Sequence, residues 1–158
     1  MKRRAPPQAG FTLLEVLATL VILAIGLLGL ARLQIAAMQY THSALLRSQA
    51  LLLAHDIMER MRANRTLAAA GAYSTEYETQ IQTPPDCLTL TCSATQMVSY
   101  DVAQWQADLA SLLPEGSGAI TMLPSGGMER LLGISIRWND QRKTNVSDFT
   151  TFSWSAEL

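Results

Sequence analysis

The stretch Gly10-Phe11-Thr12-Leu13-Leu14-Glu15-Val16-Leu17-Ala18-Thr19-Leu20 joins two unlike pieces of chain. Before it stands a basic leader, Met1-Lys2-Arg3-Arg4-Ala5-Pro6-Pro7-Gln8-Ala9-Gly10. After Gly10 a nearly unbroken apolar run extends from Phe11 to Ala31, and its one acid is Glu15. As a helix those roughly 21 residues rise about 31 Å, enough to cross a bilayer core. A carboxylate at the bilayer centre costs about 2.5–3.5 kcal/mol, so Glu15 calls for a partner. Arg3 and Arg4 on one side outweigh Arg32 on the other. That asymmetry predicts a cytoplasmic N-terminus, with the rest of the chain across the membrane.

A secretory signal peptide would carry its small-residue cleavage site after the apolar run. Here Ala31-Arg32-Leu33 follows the run, and Gly10 lies before it. The apolar helix is therefore expected to remain in the mature protein.

The helical pattern continues past Arg32, and no proline falls between Gln8 and Pro84. Leu46, Ala50, Leu53, Ile57 and Met61 recur at helical spacing and form one apolar stripe. Arg47, Gln49, Asp56, Glu59, Arg60 and Arg62 fall mostly elsewhere. One helix is predicted from about Thr12 to about Ala63, apolar all round in its first half and amphipathic in its second. Gly26 and Gly29 each weaken it by about 1 kcal/mol relative to alanine. Two readings compete for them: close packing against neighbouring helices, or a point where the helix loosens on assembly. Arg60, Arg62 and Arg65 suit the negative end of the helix dipole and read as a solvated cluster.

Beyond Gly71, residues 73–99 read as an irregular connection with a turn at Pro84-Pro85. Val102, Trp105, Leu109 and Leu112 step at helical spacing, with Asp101 as the expected N-cap and Pro114 as the stop. Trp105 reads as an apolar anchor. The period then changes to two. Ala119–Leu123 is one strand candidate; Ile134, Ile136 and Trp138 mark a second; Thr150, Phe152 and Trp154 alternate in a third. The expected fold is α+β: a long N-terminal helix packed against a small antiparallel meander with one buried face.

The formal net charge is −1. Loss of Lys2, Arg3 and Arg4 with the leader takes the basic count from 12 to 9 against 13 acidic residues, a net of −4. No long basic groove for nucleic acid is expected. Cys87 and Cys92 close a short loop, and in an extracytoplasmic compartment a disulfide is the expected state, with free buried thiols the alternative. On the chain-entropy model so short a loop adds only about 2 kcal/mol. Two cysteines with no nearby histidine do not make a structural zinc site. His42 and His55 are 13 residues apart and point to different helix faces. Asp56 and Glu59 flank Arg60 on a face read as solvated. No phosphate loop, nucleophile elbow or HExxH occurs. No catalytic residue, metal or cofactor is assigned, and the chain is not read as an enzyme.

The string Gly10-Phe11-Thr12-Leu13-Leu14-Glu15, between a basic leader and an apolar helix, resembles the class III signal of type IV pilins and type II secretion pseudopilins. The resemblance implies that a prepilin peptidase cuts after Gly10 and N-methylates Phe11, the new terminus. Glu15 then takes the place of the acid at the fifth mature position. The strings Val21–Leu30, Asp56–Arg65, Tyr100–Trp105 and Ile136–Trp138 are similar to the minor-pilin branch called PilV. On that reading residues 1–10 are a removed leader and 11–32 the transmembrane and filament-core helix. Residues 33–65 are its amphipathic continuation, and 66–158 a globular periplasmic head. The protein would sit in the inner membrane as a single-pass precursor and then join a pilus at the cell surface. Its implied partners are other major and minor pilin subunits, the peptidase and the inner-membrane assembly platform. Its implied role is pilus assembly or priming, and through that adhesion or twitching motility. Physical reasoning gives Glu15 a compatible role. In a bundle of staggered helices its carboxylate neutralises the terminal amine of Phe11 on a neighbour. The plainer alternative is an acid favoured by the helix dipole at an N-terminus. The alternatives for function are a type II secretion pseudopilin, which shares the leader, and an exposed head that binds DNA or a host surface through Arg130, Arg137, Arg142 and Lys143.

Overall fold

The computed structural model describes residues 10–77, 83–124, 131–140 and 149–157. The chain divides into two compact units between Thr41 and His42. Helix α1, Leu13–Ala63, begins in the first and ends in the second.

In the first unit α1 is apolar around its whole circumference, and every described residue except Ala36 is exposed. Gly26 and Gly29 continue the helix without a break, and among the described residues nothing beyond the helix's own neighbouring backbone lies within 4 Å of where a Cβ would stand at either.

The second unit holds the core. The stripe predicted on α1 is buried at all five positions, Leu46, Ala50, Leu53, Ile57 and Met61, and Ser43, Ala54 and Met58 widen it. Next come helices α2, Arg65–Ala69, and α3, Ala94–Leu112, then strands β1, Ser117–Leu123, β2, Leu131–Asn139, and β3, Phe149–Glu157. The sheet is antiparallel in the order β1-β2-β3. Its register pairs Ile120 with Ile134 and Ile134 with Trp154. Along β2, Leu132, Ile134, Ile136 and Trp138 are buried, while Ser135 and Arg137 between them are half-buried on the other face. This is the meander that the period-two pattern predicts. Trp105, Trp138, Tyr73, Ile57 and Met58 are among the largest fully buried side chains. Each contributes about 1.5–3 kcal/mol by leaving water.

The start of α3 differs from the expectation. The helix begins at Ala94, so residues 94–99 are helical rather than irregular, and Asp101 is an interior residue rather than the N-cap. Ser93 caps it. Its hydroxyl accepts from the Gln96 backbone N–H at 3.3 Å, and the Gln96 side chain accepts from the Ser93 N–H at 2.9 Å. Two otherwise orphaned donors are thereby satisfied in a reciprocal capping box. Strand β1 also begins earlier than expected, at Ser117, and takes in Gly118. Glycine is required there by close approach, since a Cβ would lie 2.3 Å from the Trp105 ring.

Candidate processing and assembly site

Thr12 sets the start of α1. Its hydroxyl accepts from the Glu15 backbone N–H at 3.3 Å, and its carbonyl accepts from the same N–H at 3.1 Å. Glu15 is thus the third residue of the helix, where a carboxylate meets the positive end of the dipole. Thr12-x-x-Glu15 has the spacing of a capping box. That signal is present in the sequence, but the apolar run around it hides Thr12 as a residue with a role of its own. Gly10, just outside the helix, is exposed with open space around its Cα, and Phe11 is 84% exposed. Among the described residues, nothing packs against the bond between them. Glu15 is exposed too, and among the described residues it has no ion-pair partner.

From Leu13 to Ile35 the large apolar residues of α1 are all exposed, including Leu17, Ile22, Leu28 and Leu33. By length and composition this helix can cross a membrane, and among the described residues none of its apolar window is buried. So much apolar surface left in water is unfavourable at about 25 cal/mol per Å². It has to be covered by lipid or by other helices.

In the head the arginine cluster is not uniformly solvated. Arg62 pairs with Glu59 at 2.6 Å on the surface. Arg60 is partly buried: its Nε donates to Asp56 at 2.9 Å and its Nη1 to Asp101 at 3.4 Å. Asp101 also accepts from the Tyr73 hydroxyl at 2.8 Å. Burial, and then the bond to Asp101, hold the Tyr73 hydroxyl well above the usual tyrosine range. Burial pulls the Arg60 guanidinium down, but Asp56 and then Asp101 more than offset it, and its pKa ends raised. Asp56 and Glu59 thus serve different arginines, and Arg60 ties α1 to α3.

Cys87 and Cys92 are joined in a disulfide, with their Cα atoms 5.4 Å apart. Asp86 organises the loop by accepting from the backbone N–H groups of Leu88 and Thr89, each at 3.2 Å, and from the Thr89 hydroxyl. That hydroxyl bond, followed by the backbone one, holds its carboxyl below the usual range. His55 lies on the surface, with its ring 6.0 Å from Trp154. Of the basic residues considered for a binding patch, Arg130, Arg142 and Lys143 lie outside the described residues. Arg137 donates to the Ser117 hydroxyl at 2.9 Å and stacks over Tyr77 and Phe149.

Residues 6–31 match the prokaryotic N-terminal methylation motif. Residues 32–103 match a family described as Tt1218-like, type IV pilin Tt1218. Over residues 6–103 the chain is similar to type IV pilins. The two matches adjoin and together run from the leader into α3, while the sheet lies beyond them. No curated protein and no solved structure matches the chain. Type IV pilins are structural proteins rather than enzymes, and the likeness agrees with the exposed apolar surface of α1.

Proposed function

We propose that this chain is a minor subunit of a type IV pilus, cut after Gly10 and N-methylated on Phe11. The observation that carries the reading is the unburied apolar half of α1, most of which lies within the match to the methylation motif. The helix holds the precursor in the inner membrane with the N-terminus cytoplasmic and the head periplasmic. It then enters a filament core, where the helices of other pilin subunits replace lipid. Partner contacts are with the prepilin peptidase, the assembly platform and neighbouring pilins. The strings similar to the PilV branch support a minor subunit that primes assembly, and so affects adhesion or twitching motility.

Deletion tests the reading. Loss of the gene should reduce surface pili and twitching while leaving the major pilin present in the membrane. Sheared filaments from the parent strain should contain the protein at a small ratio to the major pilin. Normal piliation together with a defect in protein secretion would assign the chain to a secretion pseudopilus instead.

A further inference from the structure

Two features of the head are left over by its own packing. The first is the disulfide loop. Asp86 and the Cys87–Cys92 bridge fix its shape. It nevertheless presents two large apolar side chains to solvent, Leu88 at 82% exposed and Leu90 at 67%. The second is an open groove of about 450 Å³, lined in part by Arg47 and Leu51 of α1, Trp138 of β2 and Phe152 of β3. Its volume is in the range of ligand-binding clefts. Arg47 is exposed and, among the described residues, has no ion-pair partner. Trp138 is buried, and among the described residues its indole N–H has no acceptor. Buried donors are nearly always paired in native folds. The groove is thus short of an anion for Arg47 and of an oxygen for Trp138.

We propose that the disulfide loop of one copy of this chain seats in the groove of a second copy, with Leu88 and Leu90 against Leu51, Trp138 and Phe152, and Asp86 facing Arg47. The loop supplies what the groove lacks: apolar side chains, a carboxylate and backbone carbonyls. Its fixed shape lowers the entropy lost on docking. The placement of the two features agrees. Within the head α1 runs from His42 to Ala63, and the groove lies on its early part, at Arg47 and Leu51. The loop lies at its end. There Cys92 and Ala63 line one pocket, and the Asn64 side chain donates to the Ala94 carbonyl at 3.0 Å. From Leu51 to Ala63 the helix rises about 18 Å, and Arg47 and Ala63 lie about 160° apart around it. Loop and groove are therefore at different heights and on different sides of the helix. A second copy displaced along α1 brings them together with both helices pointing the same way, as insertion in one membrane requires. Such a contact is heterologous and can repeat into a filament. It rests on the filament reading above for its setting, and adds that copies occupy consecutive positions there, as a short run rather than as scattered single subunits.

The test uses the full-length chain in detergent. The probe is a synthetic peptide of residues 85–93 with blocked ends and the Cys87–Cys92 bridge closed. Nitrogen-15 labelling of tryptophan gives indole signals for Trp105, Trp138 and Trp154, assigned with Trp105→Phe and Trp154→Phe. The probe should move the Trp138 signal saturably. The Trp105 signal should stay in place, since its N–H is already bonded to Leu53. Arg47→Glu should weaken binding several-fold and Arg47→Lys should keep it; Arg47 is exposed, so the fold tolerates both. A probe carrying Leu88→Ser and Leu90→Ser should not bind. A Trp138 signal unmoved by millimolar probe overturns the proposal, and so does binding indifferent to Arg47→Glu. In sheared filaments, photoreactive benzoylphenylalanine in place of Leu90 should crosslink near Leu51 or Phe152 of a second copy. A crosslink only to a different protein also overturns the proposal. Probe binding needs no pilus, so binding by a chain absent from sheared filaments supports this contact and refutes the filament role. Filaments that contain the chain, with Trp138 unmoved by the probe, refute the contact alone.

Discussion

The indole N–H of Trp105 donates to the backbone carbonyl of Leu53 at 3.0 Å, joining α3 to α1 across 52 residues of sequence. A carbonyl in mid-helix ordinarily serves only its own helix, so this bond fixes the rotation of one helix against the other as well as their distance. Gly118 completes the arrangement by letting β1 pass against the same ring. Trp105→Phe keeps most of the packing and removes the donor, and should lower head stability by about 1 kcal/mol. Gly118→Ala forces a methyl group into the ring and should cost about 1–3 kcal/mol. Urea denaturation of the detergent-solubilised chain, followed by tryptophan fluorescence for Gly118→Ala and by circular dichroism for both, gives the midpoints. Equal midpoints for wild type and both variants would contradict this account of the helix contact.

The buried Tyr73–Asp101 bond predicts a loss of stability in alkali. The folded-state pKa of Tyr73 is raised, so near neutral pH both folded and unfolded chains hold the proton and stability does not respond to it. Above the unfolded value of about 10, the unfolded chain releases its proton and the folded chain does not. Stability must then fall as pH rises. Tyr73→Phe should flatten that decline, while costing about 1 kcal/mol at neutral pH because Asp101 loses a donor. Unfolding midpoints from about pH 8 to about pH 11 for both proteins make the comparison. A variant that declines as steeply as wild type would place the alkaline sensitivity elsewhere.

Periodicity makes the large elements legible. The four-three-four-four spacing of Leu46, Ala50, Leu53, Ile57 and Met61 identifies the buried face of α1, and the alternation at Ile134, Ile136 and Trp138 identifies β2. What escapes it is polar. Asp101 reads as a cap because acids favour helix ends, yet tertiary partners, Arg60 from α1 and Tyr73 from the connection, hold it inside the helix. The actual cap, Ser93-Ala94-Thr95-Gln96, carries a recognisable capping-box spacing, but it stands before a first turn with little apolar periodicity to announce it. The Trp105–Leu53 bond has no local signal at all, since a side chain reaching a distant backbone carbonyl leaves no pattern in sequence. At the N-terminus the apolar run and Glu15 are plain, whereas the role of Thr12 emerges only from its hydrogen bond.

The disulfide predicts a modest and local effect. Unreduced protein should label at neither Cys87 nor Cys92, and full labelling should follow reduction. Replacing both with serine should cost about 2 kcal/mol or less, given the short loop. Asp86 and its three bonds remain to hold the turn. A collapse of the whole head in the double variant, seen as lost near-ultraviolet circular dichroism, would show that the bridge supports more than its own loop.

Processing is tested by intact mass. Protein extracted from membranes should begin at Phe11 and carry one methyl group on its amine. Gly10→Val should leave the leader in place, because a branched side chain crowds an approach that is open at glycine. A mature terminus at Met1, or a cut near Arg32, is incompatible with the proposed maturation.

Glu15→Ala separates the two roles available to this acid. As a helix-terminus carboxylate it would contribute about 0.3–1 kcal/mol to the first turn of α1. Thr12 would still cap that turn through the Glu15 backbone N–H, which the substitution keeps. On that role alone the variant should assemble almost normally. As a counter-charge it matters far more, since the amine of Phe11 would enter a filament core with no anion beside it, and an unpaired ion in an apolar medium costs several kcal/mol. Membrane residence should become easier without the carboxylate. Cleavage after Gly10 should persist, since the scissile bond is unaltered. Incorporation should fail. Immunoblots of sheared filaments against the inner-membrane fraction give the ratio, and Glu15→Asp should recover part of it by returning the charge on a shorter arm. If Glu15→Ala enters filaments as well as wild type does, the carboxylate is only a helix-terminus acid.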